Sequence, residues 1–366
     1  MSGQNQVFEV QRDRLGETRL VTELLPDLEP GEALLRVDAF ALTANNITYG
    51  VAGDSIGYWQ FFPAQGGAEG GWGRIPVWGF GDVLRSTVDG LAEGERFYGY
   101  FPMAGHLTLK PQRITDHGFS DGSAHRAALP PVYNHYTRTR MDPAYRPEHE
   151  AMQMLFRPLF TTSFFLDDFL DDNNFFDAKT VVLSSASSKT AFGLAWLLHR
   201  NRGDRCRVIG LTSAGNAGFV ESLGCYDQVL AYDDLEALPV TPSVFVDMAG
   251  NAGLRARLHH HYGDRLAYSC SVGATHWEAA RITGNEPVPG PRPTMFFAPS
   301  QIQKRAREWG GAGLAERTAA AWKPFVEVAE GWIDVRRERG AKAVETVYLE
   351  VLHNRATPKD GFILSL

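Results

Sequence analysis

The sequence predicts an α/β protein, a doubly wound parallel sheet accompanied by a second, mostly β domain. Three observations predict it. Beyond residue 180, short apolar β-branched runs (180–183, 207–211, 228–232, 243–248 and 266–273) alternate with helical or polar segments, which is the pattern of strands buried on both faces of a parallel sheet. The first run leads through five small residues, Ser184 to Ser188, into residues 190–199, where Ala191, Leu194, Ala195, Leu197 and Leu198 stand at near-helical spacing; this is a βαβ unit. Residues 7–40, by contrast, are short strand-like runs separated by turns.

At 366 residues the chain exceeds the ~100–200 of one domain, so two domains are expected. The 36 Lys and Arg against 43 Asp and Glu give a net charge of −7 with no basic block, which argues against a nucleic-acid partner. The first residues lack the apolar run of a signal peptide, and no stretch approaches the ~18 apolar residues of a membrane span, so a cytoplasmic protein without a membrane partner is expected. Cys206, Cys225 and Cys270 match no zinc spacing and are too few and scattered for a disulfide framework; they read as small core residues.

Each element can be justified in order. Runs at 7–10, 18–23 and 33–40 read as strands, the last preceded by a turn at Glu29-Pro30-Gly31. The polar stretch 41–50 reads as a loop, either functional or simply a turn built by Asn45 and Asn46. Tyr58, Trp59, Phe61, Phe62 and Trp72 demand burial, as core or as the wall of an apolar pocket. Runs at 75–83 and 94–101 complete the β pattern. Residues 113–158, interrupted by Pro130, Pro131, Pro143, Pro147 and Pro158, read as an irregular excursion carrying Tyr133, Asn134, His135, Tyr136, Arg138 and Arg140, with helix resuming at 159–172. Residues 304–338 read as helix broken at Gly310-Gly311 and Pro324, and 346–349 and 362–366 as closing strands.

The helix after Ser184–Ser188 would aim its first amides at an anion beyond the strand ends, and the expected ligand is a dinucleotide pyrophosphate. The three-glycine fingerprint is absent, since Ser185, Ser187 and Ser188 occupy that ground; a loop small merely for packing is the other reading. The second strand ends Gly210-Leu211-Thr212-Ser213, with no carboxylate to bind a ribose diol, which favours NADP over NAD.

Several short motifs then occur in a telling order: Gly31-Glu32-Ala33-Leu34-Leu35-Arg36-Val37, Gly94-Glu95-Arg96-Phe97-Tyr98-Gly99, Thr161-Thr162, Leu223-Gly224-Cys225 with Val229 and Tyr232, Asp247-Met248-Ala249-Gly250, Ser271-Val272-Gly273, and Lys359-Asp360-Gly361-Phe362-Ile363-Leu364. Together they resemble the medium-chain dehydrogenases/reductases, in particular the zinc-free quinone oxidoreductase and enoyl reductase branch. Pro76-Val77-Trp78-Gly79-Phe80, His125-Arg126-Ala127-Ala128-Leu129-Pro130 and Ser184 to Ala191 resemble a narrower bacterial set that carries only an unknown-function label. The resemblance implies a Rossmann domain at 161–305 and a GroES-like domain at 1–160 and 306–366 that holds the insertion near 113–158. It implies NADP held by Thr162, Ser185, Ala186, Ser187, Ser188, Lys189, Thr190, Thr212, Ser213, Tyr232, Gly250 and Val272, although Asn216 stands where such enzymes often place a lysine. The loop carrying Thr43, Asn46, Thr48 and Tyr49 would lie beside the nicotinamide, with Asn46 orienting a substrate carbonyl and Tyr58 donating a proton. Thr43, Phe80 and Gly81 stand where the zinc-dependent branch has its ligands, so no metal is expected. The implied function is zinc-independent reduction of a small or medium carbonyl or enone by a homodimer. Two alternatives remain at this point: a nucleotide-binding sensor without turnover, and a lyase or hydratase using Tyr133, His135 or Asp82 as acid or base.

Overall fold

A hairpin opens the chain, β1 (Gln4–Gln11) against β2 (Thr18–Leu24), with Val7 opposite Val21. Val7 and Val10 are buried while Leu20, Thr22 and Leu24 face outward, so the hairpin turns one side to the core. In the computed structural model, which describes residues 3–66, 70–272 and 288–366, the chain divides into two units: Met1–Leu155 with Asp334–Leu366, and Phe156–Ile333.

The first unit continues with β3 (Ala33–Leu42), β4 (Trp72–Gly73), β5 (Pro76–Ser86), β6 (Arg96–Pro102), β7 (His106–Leu109), β8 (Pro111–Thr115), β9 (Gly118–Asp121) and β10 (His135–Arg138). Its core gathers Phe8, Phe40, Phe97, Tyr100, Phe101 and Tyr348. The excursion expected at 113–158 is more regular than its prolines suggest. It contributes β9 and β10 and part of β8, and its prolines Pro131 and Pro147 open 3-10 turns, positions that need no N–H donor.

The second unit holds β11 (Thr180–Leu183), β12 (Arg207–Thr212), β13 (Gln228–Ala231), β14 (Ser243–Asp247), β15 (Leu266–Ser271) and β16 (Thr294–Met295). They lie in the order β13-β12-β11-β14-β15-β16, every neighbouring pair parallel. Counted from the first strand of the sheet this is 3-2-1-4-5-6, the doubly wound order of dinucleotide-binding sheets, whose direction of winding reverses between β11 and β14. The α/β class expected from the sequence is therefore observed. Among the described residues no helix is long and apolar enough to cross a membrane.

Returning to the first unit, β17 (Asp334–Arg339) and β18 (Asp360–Ser365) complete a nine-stranded sheet ordered β17-β18-β3-β5-β6-β10-β9-β8, with β7 also paired to β3; β2-β1-β4 form a separate sheet.

Four sequence expectations are corrected. The run 346–349 is helical, inside Ala341–Leu352, because Val344, Val347, Tyr348 and Val351 form one buried helical face that overrides the local β-branched residues. Helix Glu150–Asp172 runs through Pro158. The missing hydrogen bond costs ~3 kcal/mol, less than the combined gain from burying Leu155, Phe156, Phe160 and Leu166 at ~1.5–3 kcal/mol each. In Ala298–Ala329 the chain kinks at Gly310, whose φ of 71° lies in the left-handed region, but Pro324 stays within the helix. Residues 306–333, expected with 334–366, lie in the second unit, where Phe325 stacks on Phe160 and meets Trp196 edge to face, and Trp322 meets Phe160 edge to face.

Candidate functional site

In the second unit the loop after β11 sits where the winding reverses. Ser184 donates its hydroxyl to Asp247 Oδ1 at 2.8 Å and accepts the amides of Met248 and Ala249 at 3.0 and 3.1 Å, while Asp247 also accepts the Gly250 amide at 3.0 Å. Both side chains are buried, so this network ties the ends of β11 and β14 together and fixes the backbone around Gly250. The Val272 amide closes on the Asp247 carbonyl at 2.9 Å; Gly273, named with it in the motif, lies outside the described residues.

Ser185 adopts φ 50°, the left-handed conformation that usually calls for glycine. Its amide donates to the Tyr232 hydroxyl at 3.0 Å. Ala186 is fixed on both sides, its amide on the Leu211 carbonyl at 3.0 Å and its carbonyl under the Tyr226 hydroxyl at 2.9 Å. A Cβ at Gly210 would sit 2.9 Å from both Ala186 Cβ and Tyr226 Cδ1, so the close approach of β12 to the loop requires glycine there. Ser188 caps helix Lys189–Arg202 by accepting the Ala191 amide at 3.3 Å. Ser187 Oγ accepts from Asn216 Nδ2 at 3.2 Å and from Thr212 Oγ1 at 3.4 Å, which leaves its own hydrogen to donate elsewhere.

Thr212 is thus buried and turned inward, while Ser213 is exposed at the end of β12. The Thr190 carbonyl accepts from Ser163, the Lys189 ammonium lies 5.9 Å from the Phe156 ring, and Thr162 bonds back to the Pro158 carbonyl within its helix. The structure therefore draws Ser185, Ala186, Ser187, Thr212 and Tyr232 into one hydrogen-bonded loop system. Sequence reasoning missed Ser184 and Tyr226, whose partners lie 63 and 40 residues away, and it missed that Asn216 is a partner of Ser187.

In the first unit the stretch 41–50 is not a loop but helix Ala44–Val51. Asn46 Oδ1 accepts the Thr43 amide at 2.8 Å, and its Nδ2 donates to the Pro76 carbonyl at 2.9 Å. Asn46 is buried and anchors the start of the helix that carries Tyr49. The Tyr49 and Tyr58 rings lie 4.5 Å apart. Trp78 Nε1 donates to the Tyr49 hydroxyl at 3.4 Å, and the Tyr58 hydroxyl meets that of Tyr133 at 3.1 Å. Burial pushes the Tyr49 phenol above its ordinary range and, with the neighbouring Tyr49, pushes Tyr58 up to about 12, so both are neutral donors at physiological pH.

The other first-unit candidates are dispersed. Asp82 is held by Arg36 and Arg96 at 2.9 and 2.8 Å, and His135 is exposed on β10. Tyr58, Trp59, Phe61 and Phe62 all belong to the buried core, and Phe61 and Phe62 also line a cavity of about 420 Å³ with Leu34, Arg74, His106 and Arg126. Thr43 precedes the helix, Phe80 is fully buried and Gly81 has no side chain; among the described residues no group of three His, Cys, Asp or Glu could hold a metal ion.

A family model described as "Protein of unknown function (DUF2855)" matches residues 40–357. The chain belongs to that family. No curated protein matches it by sequence. Solved structures match its fold from end to end: CurA from Vibrio vulnificus in complex with NADPH (11% identity, 98% of each chain, TM-score 0.59), an Etr1p mutant in complex with NADP and crotonyl-CoA (11%, 100% of each, 0.59) and the yhdH oxidoreductase from Salmonella enterica in complex with NADP (13%, 100% of each, 0.53). At such identities the likeness shows the fold alone.

Proposed function

We propose that this member of the family is an NADP(H)-dependent oxidoreductase that reduces a small or medium, largely apolar carbonyl or enone without zinc. One observation carries the reading: a 3-2-1-4-5-6 parallel sheet with a preorganised small-residue loop at its switch point and no carboxylate at the end of β12. The residues fit the cofactor. Ser185 supplies the left-handed turn in place of glycine, Ser187 has a hydroxyl hydrogen to offer an anion, and exposed Ser213 adds a second hydroxyl without negative charge. Lys189 and Thr190 begin a helix whose N-terminus favours a pyrophosphate. Three structures of the same fold hold NADP or NADPH, and one of them also holds an enoyl thioester.

When bound, the reduced nicotinamide supplies a hydride. The chain supplies the rest. Tyr58, kept neutral by burial, donates the proton, Tyr49 packs against its ring, and Asn46 sets the helix that presents Tyr49. The same reading makes the active species a homodimer.

The test is nucleotide affinity. Native protein should bind NADPH more tightly than NADH in a fluorescence titration. Ser213→Asp should weaken NADPH by about tenfold or more, since a like charge beside the 2′-phosphate costs a few kcal/mol and ~1.4 kcal/mol is tenfold. Binding of neither nucleotide at millimolar concentration would defeat the proposal.

A further inference from the structure

The cavity of the first unit is separate from the tyrosine cluster proposed for catalysis. None of Asn46, Tyr49 and Tyr58 lines it. Phe61 lines it while packing on Tyr58, Tyr100 and Tyr133 at 6.2, 5.2 and 5.3 Å between centroids, so that this buried ring forms a shared wall. The cavity volume of about 420 Å³ falls within the ~300–1,000 Å³ of small-molecule pockets. Val7, Leu34 and Leu109 give it a buried apolar floor, whereas Leu24, Pro26, Pro63 and Gln65 are exposed and mark the side that opens to water.

The charges on its wall are already paired. Arg74 donates from Nε to Glu9 Oε1 at 2.9 Å and pairs with Glu23, while Arg19 holds the other oxygen of Glu9 at 2.6 Å. Arg126 is buried. It pairs with Asp121 at 3.0 Å, donates from Nε to Asn134 Oδ1 at 2.9 Å and from Nη2 to the Tyr133 carbonyl at 2.8 Å, and stands 5.0 Å from the Phe62 ring. An anion entering the cavity would meet Glu23 and Asp121, and a cation would meet Arg74 and Arg126, so either would lose hydration without finding a free counter-charge. His106 is different. Asn5 fixes its backbone by donating Nδ2 to its carbonyl at 3.2 Å and accepting its amide at 2.8 Å. Its Nδ1 is shielded from water and has no hydrogen-bond partner among the described residues, which is true of no other side-chain atom of the lining. A buried polar atom in that state calls for a partner. Burial and the neighbouring Arg36 hold the imidazole pKa below its ordinary value, so the ring is neutral at physiological pH and Nδ1 either donates or accepts. A hydroxyl answers both cases. We infer that this cavity is a binding site for an uncharged ring-containing alcohol or phenol, its hydroxyl on His106 Nδ1 and its ring against Phe61, Phe62 and the aliphatic floor.

The experiment titrates the full chain, labelled with nitrogen-15 histidine and free of nucleotide, with four molecules built on one ring: 4-ethylphenol, ethylbenzene, 4-ethylbenzoate and 4-ethylbenzylammonium. 4-Ethylphenol should bind saturably and move the His106 Nδ1 resonance, assigned by its disappearance in His106→Phe. Ethylbenzene, which lacks the hydroxyl, should bind about 3- to 10-fold more weakly, the worth of one neutral hydrogen bond. The two ions should bind at least about tenfold more weakly than the phenol. In His106→Phe, which keeps a flat ring, 4-ethylphenol should fall to the affinity of ethylbenzene, and ethylbenzene should bind as before. Should His106→Phe fail to fold by circular dichroism, His106→Gln supplies the assignment, and the affinity order and resonance shift of the native chain decide. Equal affinities for the phenol and ethylbenzene in the native chain would overturn the hydroxyl site, as would tighter binding of either ion. Binding that leaves the His106 resonance unmoved would place the phenol elsewhere and overturn it too. No binding of 4-ethylphenol at millimolar concentration would mean that the cavity holds water only.

Discussion

Ser185 shows how a single residue can stand in for glycine in a tight strand-to-helix loop. Its φ of 50° is the conformation that a glycine normally fills, so the absent glycine fingerprint reflects a serine holding the strained position rather than a different loop. Left-handed strain at a non-glycine residue costs ~1–2 kcal/mol, and glycine in its place loses ~0.5–1 kcal/mol of chain entropy on folding. The two nearly cancel. Ser185→Gly should therefore change the urea-unfolding free energy by less than about 1 kcal/mol and retain NADPH binding, whereas Ser185→Val, β-branched at positive φ, should lose about 1–3 kcal/mol. A loss of the same size in both variants would mean that the serine hydroxyl, absent from each, and not the backbone shapes the loop.

At the scale of elements, the excursion between β9 and β10 depends on Arg126. Removing its charge leaves Asp121 buried and uncompensated, so Arg126→Met should destabilise the first unit by about 3–5 kcal/mol in urea unfolding followed by tryptophan fluorescence. Arg126→Lys should lose less, because the charge survives while the fork to Asn134 and the Tyr133 carbonyl does not. The sequence placed Arg126 in a short motif but gave no sign that it is buried while Arg140 nearby is exposed. The sheet of the second unit was legible because β11, β12 and β14 are continuous β-branched runs, buried on both faces and bounded by small or polar residues. Helix Ala341–Leu352 was misread where Thr346, Val347 and Tyr348 suggested a strand, although Val344, Val347, Tyr348 and Val351 already had helical spacing. The small-residue loop proposed to hold the cofactor was legible by its position after β11. The pairs that give the sites their shape, Ser184 with Asp247 and Tyr58 with Tyr133, are contacts across 63 and 75 residues that only the folded chain reveals.

Across the whole molecule, burial of weak acids sets an alkaline limit on stability. In the first unit, burial raises the phenols of Tyr49, Tyr58, Tyr100, Tyr133, Tyr136 and Tyr348, with Tyr58 and Tyr136 pushed up to about 12. In the second unit it raises the Cys206 thiol to about 11 and those of Cys225 and Cys270 to about 12. In an unfolded chain tyrosines ionise near ~10 and cysteines near ~8.5. Above those values the unfolded state holds fewer protons than the folded one, so stability falls as pH rises, by ~1.4 kcal/mol per pH unit for each group still protonated only in the fold. Below about pH 8 these groups are neutral in both states and their contribution is fully present. The loss begins near pH 8.5 in the second unit and near pH 10 in the first, and between pH 10 and 12 Tyr58 and Tyr136 together remove about 5 kcal/mol, comparable with the whole ~5–15 kcal/mol of a typical domain. Circular dichroism should therefore show loss of structure before pH 12. Phenolate absorbance near 295 nm should rise in step with that loss, and a thiol reagent should find the cysteines unreactive until it occurs. Gradual phenolate formation with the ellipticity intact would mean that these rings reach water in the folded chain, and it would remove the burial that keeps the Tyr58 phenol neutral.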